Sequence, residues 1–339
     1  MKKMIMAGIL TGIAFASIAQ TDSTKRSTTN ITYSVDAYYR YDFNDAPTGT
    51  NNLTSFTNSK NSFELGMASI RADHSFGKVS ATADLGFGRR AQEFSYNDAN
   101  TLVAVKQLYL SYTPSSAIKF TIGKWATHIG YEMLDAYLNR NYSMSYAFSY
   151  GPFFHTGIKA DISLGGKSAM MIGVANPTDF STTTSATKVL LAQFSTGTAN
   201  DKLKAYVNFQ GGTGFNQFDL VVNGIISSQF TINYDGTLKT VKTGTVNNSW
   251  SSNALYFNYD PTAKFGLTLR GEYFADGKNV AGVGTSVVQT TLSGNIHIDN
   301  LTIIPEIRLD NAGNNLFSKT TGAGTKNDAA FILAAVYKF

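Results

Sequence analysis

Cysteine is absent from the 339-residue chain, which excludes disulfides, thiolate metal sites and a lipoprotein anchor. Charge is also scarce: Asp, Glu, Lys and Arg make up 15% of the residues, well below the quarter typical of soluble domains. The formal charge of +5 falls to +3 without Lys2 and Lys3, so no strong pull on nucleic acid or acidic partners follows. Beyond the first twenty residues, no segment is long and apolar enough to span a bilayer as a helix. What is abundant is aromatic and small: 23 Phe, 18 Tyr and 30 Gly, a composition that suits strands and not helices.

The amino terminus reads as an address. "MKKMIMAGILTGIAFASIAQT" has two lysines, an uncharged apolar stretch from Met4 to Ala19, and small residues at Ser17 and Ala19. This is the pattern of a secretory signal over residues 1–19, too short for a spanning helix. A short polar lead, residues 20–30, follows, with nothing to bury.

From Ile31 the chain alternates. Ile31, Tyr33, Val35, Ala37, Tyr39, Tyr41 and Phe43 are apolar, while Thr32, Ser34, Asp36, Tyr38, Arg40 and Asp42 between them are mostly polar. The same period recurs in "VSATADLGF" at Val79, "LKAYVNF" at Leu203, "FGLTLRGEY" at Phe265 and "VQTTLSGNIHI" at Val288. Tight turns are expected at "FGK" from Phe76, "TPSSA" from Thr113, "LGGK" from Leu164, "GTAND" from Gly197, Asn223-Gly224, "DPTA" from Asp260 and Asp299-Asn300. Mostly longer connections are expected at 44–61, 91–101, 126–153, 176–186, 211–215, 235–251, 275–286 and 311–327.

Short and long connections therefore alternate, and residues 31–339 are expected to form sixteen antiparallel strands in an all-β, up-and-down transmembrane barrel. Lipid offers backbone groups no hydrogen bonds, so only a helix or a closed barrel satisfies them all. Residues 62–75 and 187–196 alternate poorly and the pair around Asn223 is placed partly by parity, so fourteen or eighteen strands remain compatible. Pro305 falls at an outward position and suggests a bulge. The end of the chain, "FILAAVYKF", puts Phe331, Leu333, Ala335, Tyr337 and Phe339 on one face, which is expected to meet lipid where the last strand closes against the first.

Charges segregate by column. Asp36, Arg40, Asp84, Lys119, Lys159, Asp161, Lys204, Arg270, Glu272, Glu306 and Arg308 fall in the polar column and are expected to line a lumen, whereas Arg89 and Lys124 interrupt the apolar column near the rims. A Lys or Arg facing lipid at midplane costs about 2–4 kcal/mol, which is the pressure that would sort them this way. The lumen charges are too evenly balanced to distinguish anion from cation preference.

The most distinctive stretch is "GKWATHIGYEMLDAYLNRNYSMSYAFSYGPFFHTG", Gly123 to Gly157. With the preceding "QLYLSYTP", the later "GVANPTD" at Gly173 and the "YKF" end, it resembles the second putative beta-barrel porin family, also called OmpL-like, over most of the mature chain. The resemblance implies a porin-type channel in the outer membrane of a Gram-negative bacterium and a terminal Phe339 recognised by the outer-membrane assembly machinery. It implies no particular solute. By analogy with general porins, residues 126–153 are expected to fold inward, with Glu132, Asp135 and Arg140 setting charge at a constriction and Tyr131, Tyr142 and Tyr146 shaping it. An external loop packed on the barrel mouth is the alternative. A homotrimer would fit general porins, though no sequence feature proves it.

Sites of covalent chemistry are not indicated. His74, His128, His155 and His297 lack metal-ligand spacing, and "GFGRR" at Gly86 and "GGTGF" at Gly211 lack the strand-then-helix setting of a phosphate loop. A hydrolase could be imagined from His155 with Ser145 or Ser149, but serine is common throughout. The expectation is a porin passing small hydrophilic solutes or ions by passive diffusion, with no catalytic residue, metal or cofactor. Its rivals are a structural or adhesive barrel with an occluded lumen and an outer-membrane hydrolase; an active-uptake receptor is disfavoured because no plug-sized segment precedes the first strand.

Overall fold

A computed structural model describes residues 27–46 and 51–339. The expected signal segment 1–19 and most of the polar lead lie outside the described residues. The chain runs through β1 (Ser27–Asp42), β2 (Ser62–Phe76), β3 (Val79–Phe87), β4 (Val105–Ser115), β5 (Ile118–Ala126) and β6 (Phe154–Gly165). There follow β7 (Ser168–Ala175), β8 (Val189–Gly197), β9 (Leu203–Gly212), β10 (Phe215–Ile225) and β11 (Phe230–Thr243). The second half adds β12 (Val246–Thr262), β13 (Phe265–Ala275), β14 (Ser286–Ile298) and β15 (Leu301–Ala312). A small hairpin, β16 (Phe317–Ser318) with β17 (Gly324–Thr325), sits in the last loop before β18 (Asn327–Lys338).

Leaving that hairpin aside, sixteen strands pair antiparallel with their sequence neighbours and close into a barrel where β1 meets β18, in register from Ser34 with Lys338 to Asp42 with Ala330. Tyr33 and Phe339 exchange both backbone bonds, at 2.8 and 3.0 Å, and their rings stack at 4.9 Å. The seam thus extends to the terminal residue. β1 begins at Ser27, so the polar lead contributes four residues to the ladder.

The outward columns are apolar and bare. Phe63 is 86% exposed and Leu65 79%, with Leu108, Leu110, Ile122, Leu190 and Leu292 also exposed, a belt that water would penalise and lipid covers. The inward columns are polar on most walls, but on β18 the inward side chains Ala330, Ile332, Ala334 and Val336 are apolar and buried. Ile332, Ala334 and Val336 cluster with Tyr38, Ile304, Ala136 and Tyr142, the last two from the third long loop. That packing explains why the second face of the terminal segment is small yet hardly polar.

Several local expectations differ. Asn223-Gly224 lies inside β10, paired on both sides with β9 and β11, and the turn falls at 226–229. The connections expected at 211–215 and 235–251 are tight hairpins, because Gly214 (φ 82°) and Gly244 (φ 63°) supply left-handed turn residues and β11 and β12 run on to meet there. "DPTA" ends β12 through a register shift between Tyr259 and Thr262, so its turn comes two residues later. Pro305 makes no bulge: the register with β14 and β18 does not shift, and its missing N–H costs only the two β14–β15 pairs around it, between Ser293–Glu306 and Ile296–Ile303. The poor alternation near 62–75 has a physical source in the extra residue Gly66, which shifts the register between Asp36 and Ala37.

Candidate functional site: the third loop and the lumen wall

An irregular segment inside a barrel carries backbone donors and acceptors that strands cannot pair, so the wall must supply partners. It does so with charged side chains. Asp219 accepts the Gly130 amide at 3.0 Å and Asp235 the Tyr131 amide at 3.0 Å. Glu306 accepts those of Tyr142 and Ser143 at 2.8 and 3.1 Å, and Glu272 those of Tyr146 and Ala147 at 2.8 and 2.7 Å. Arginines serve the carbonyls: from the wall, Arg270 donates to Ser143 O at 2.7 Å and Arg308 to Met144 O at 2.8 Å, and from the second long loop Arg90 donates to Leu134 O at 3.0 Å.

Two helical turns order the loop from within. Residues Arg89–Phe94 form α1 in the second long loop, and Tyr146–Tyr150 form α2 in the third. Ser145 caps α2 by accepting the Phe148 amide, while Glu272 takes two of the orphan amides of its first turn. A short 3-10 turn, Ala136–Leu138, covers the apolar β18 wall. The loop ends stay adjacent, with the Thr127 amide donating to Phe153 O at 3.0 Å.

The six side chains expected at a constriction all meet the wall or a strand partner. Glu132 pairs with Arg270 at 2.6 Å and accepts from Tyr256 and from Ser145. Asp135 pairs with Lys106 at 2.5 Å, and Arg140 forks onto Asp260 at 2.5 and 3.2 Å while donating to Thr268. Tyr142 donates its hydroxyl to Asp36 at 2.6 Å. Tyr131 packs against Tyr256 with ring centroids 4.4 Å apart, and Tyr146 stacks on Phe274 at 5.2 Å with the Arg308 guanidinium over its ring at 5.4 Å.

The eleven residues assigned to the lumen separate into two groups. Asp36, Arg40, Asp84, Arg270, Glu272, Glu306 and Arg308 are buried beneath loops. Arg40, for instance, pairs with Asp328 and donates to Ser59 O of the first long loop. Lys119, Lys159 and Lys204 are less buried and lie in the section below, with Asp161 buried there beside Lys159 at 3.1 Å and Lys204 3.6 Å from Asp201 at the rim. Arg71 and Asp73, paired at 2.7 Å, and Lys338 point into the same section.

Sequence alternation missed Lys106, Arg90, Asp219, Asp235 and Asp260. Lys106 occupies an outward parity, but a bulge opposite Asp84 and Leu85 turns it inward onto Asp84 at 2.9 Å. Asp235 lay in a segment expected to be loop. Asp219 had a signal, since Phe218 and Leu220 flank it with outward apolar side chains. Lys124, expected to breach the apolar column at the rim, is instead covered by the second loop, pairing with Asp98 at 2.9 Å and lying 3.7 Å from the centre of the Phe154 ring.

The imagined hydrolase constellation is not assembled. Ser145 donates to Glu132 and Ser149 to Ser145 O, while His155 Nε2 contacts Thr127 Oγ1 at 3.2 Å. Burial holds the neighbouring His128 imidazole down at about 4, neutral at ordinary pH, with Nε2 donating to Phe209 O.

A family model described as "Putative beta-barrel porin-2, OmpL-like" matches residues 28–339. Among solved structures, the outer membrane channel DcaP of Acinetobacter baumannii superposes with TM-score 0.64 at 12% identity, covering 95% of this chain and 100% of that one. The anion-selective porin from Comamonas acidovorans gives 0.63 at 11% identity, covering 93% and 100%. OmpT of Vibrio cholerae in its trimer form gives 0.60 at 12% identity, covering 92% and 99%. At such identities the likeness speaks for the fold. A search of curated proteins finds no match.

Proposed function

The chain belongs to the porin family of that description and is an outer-membrane porin of Gram-negative type, and from this premise we propose that its third loop, residues 127–153, forms the constriction that meters passive diffusion. The observation that carries the proposal is the set of wall carboxylates and arginines seated on the loop backbone, which hold a narrowing element at a fixed depth. Glu132, Asp135 and Arg140 then contribute less free charge than their identities suggest, because Glu132 and Arg140 are paired by wall partners and Asp135 shares Lys106 with Asp84.

The free inward charge lies elsewhere. In the open section, Arg71, Lys119, Lys159, Lys204 and Lys338 face Asp73, Asp161 and, at the rim, Asp201, with Asp84 3.9 Å from Arg71, a small positive excess that favours small anions. The comparison porin from Comamonas acidovorans is described as anion-selective, which accords with this reading. The chain works without catalysis or cofactor, as a homotrimer like the OmpT trimer form, after loss of a signal segment at 1–19 and delivery to the assembly machinery through Phe339. Purified protein in a planar bilayer should give discrete conductance steps and, in a KCl gradient, a reversal potential of the sign for chloride preference.

A structural barrel with an occluded bore is the second reading, favoured by the reach of the loop, which contacts walls as far apart as β1, β4, β11 and β15. Silence in the bilayer would select it.

A further inference from the structure

We propose that the outer mouth of the barrel holds a binding site for small organic anions with a flat apolar body, an aromatic monocarboxylate being the simplest case. The proposal deepens the porin reading by naming a solute class, yet the site is defined by its own geometry. A cavity of about 710 Å³ opens there, within the range of small-molecule sites, lined by Tyr96, Tyr150, Phe153, Phe180, Trp250 and Lys239 among others. The third loop forms one side of it through Ser149–Phe153, so the cavity lies against the proposed constriction.

The rings are held in place. Tyr150 and Trp250 both pack on Phe274, at 5.3 and 5.5 Å, and Tyr96 meets Phe153 edge-on at 6.0 Å. Tyr96 is 58% exposed and Phe180 36%, which leaves apolar faces open at the entrance. Such faces favour a planar body over a hydrated ion.

Charge selects the sign. Glu93 and Asp179 also line the cavity, but the protein already uses their oxygens. Glu93 accepts from the Phe56 amide, Asn58 and Arg89; Asp179 accepts from the Phe153 and Phe154 amides and the Tyr96 hydroxyl. Neither is left free to take the hydroxyls of a neutral sugar or a ligand ammonium. Lys239 is the uncommitted group: among the described residues its amine has no hydrogen bond or salt bridge; it lies 5.7 Å from the centre of the Phe215 ring, feels the Asp179 carboxylate only through space, and stands beside Trp250 across the ladder. A carboxylate reaching Lys239 would gain a charge-assisted bond while its ring lay among the aromatics.

The test is calorimetric titration of the purified full chain in detergent micelles with benzoate, and with acetate, benzyl alcohol and maltose as controls. Benzoate is expected to bind saturably and at least about tenfold more tightly than acetate or benzyl alcohol. Lys239→Met should weaken it by about ten- to a hundredfold, the value of a hydrogen bond to a charged group, while Lys239→Arg retains binding. Unchanged heat-modifiable gel mobility shows that each variant barrel is folded. Absence of saturable benzoate binding, equal binding by Lys239→Met, or preferential maltose binding would overturn the proposal. KCl conductance of the same preparation separates the two readings: conduction without benzoate binding refutes only this site, and binding without conduction supports the site while refuting the porin reading.

Discussion

Glu272→Ala isolates the mechanism that holds the third loop. In the folded chain the Glu272 carboxylate accepts the Tyr146 and Ala147 amides and the Ser252 hydroxyl, all within 2.8 Å, and it is buried. Hydrogen bonds to a charged group contribute about 1.5–3 kcal/mol each, so loss of the two amide bonds removes roughly 3 kcal/mol or more from the local stability of α2. The loop keeps its anchors at Glu306, Asp219, Asp235 and Arg308, so the barrel should still fold and close. At 1.4 kcal/mol per decade, the Tyr146 and Ala147 amides should exchange with solvent deuterium about a hundredfold faster, while strand amides keep their rates. Single-channel recordings should show added open-state noise. Unchanged exchange at these two amides in a folded Glu272→Ala barrel would refute the claim that wall carboxylates fix the loop.

Three further outcomes follow from other contacts. Gly66→Ala places a Cβ 1.7 Å from Asp36 Oδ2 and 2.8 Å from the Tyr142 hydroxyl, so it should break the Asp36–Tyr142 bond and lower stability by about 1–3 kcal/mol, read as a lower urea midpoint for heat-modifiable mobility. Lys119→Glu with Lys159→Glu should reverse the sign of the reversal potential in a KCl gradient; an unchanged potential would place the permeation path away from that wall. Burial pushes the Asp179 carboxyl up to about 6, so it takes up a proton as pH falls from 7 to 5. With Lys239 and Lys124 the cations felt across the site and Tyr96 its hydroxyl donor, that proton removes negative charge beside the cavity. Benzoate affinity should therefore rise on acidification, and Asp179→Asn should flatten the dependence.

The barrel was legible in the sequence because lipid imposes a simple rule on every strand: apolar outside, paired backbone throughout. Tyr33 to Phe43 and the terminal Phe331 to Phe339 carry that rule without interruption. Where reading failed, the chain breaks the period of two. Gly66 and the bulge at Lys106 shift parity, so β2 alternates poorly and simple alternation gives no sign that Lys106 turns inward. Asn223-Gly224 has strong hairpin chemistry, yet pairing on both sides keeps it in a strand, and the turn moves to where β10 and β11 end. Glu272, Glu306 and Arg270 all reach the third-loop backbone, and alternation cannot tell a side chain bathed in lumen water from one spent on a loop backbone. That distinction depends on where residues 127–153 lie, information carried by contacts more than a hundred residues apart, such as Tyr142 with Glu306.

The most direct measurement compares single-channel conductance of the native chain with a variant in which residues 129–151 are replaced by two glycines, a link that the adjacent positions of Thr127 and Phe153 allow. A bore metered by the third loop predicts conductance several-fold higher in the shortened protein, with weaker ion discrimination. Equal conductance and equal selectivity in a folded, shortened barrel would contradict it.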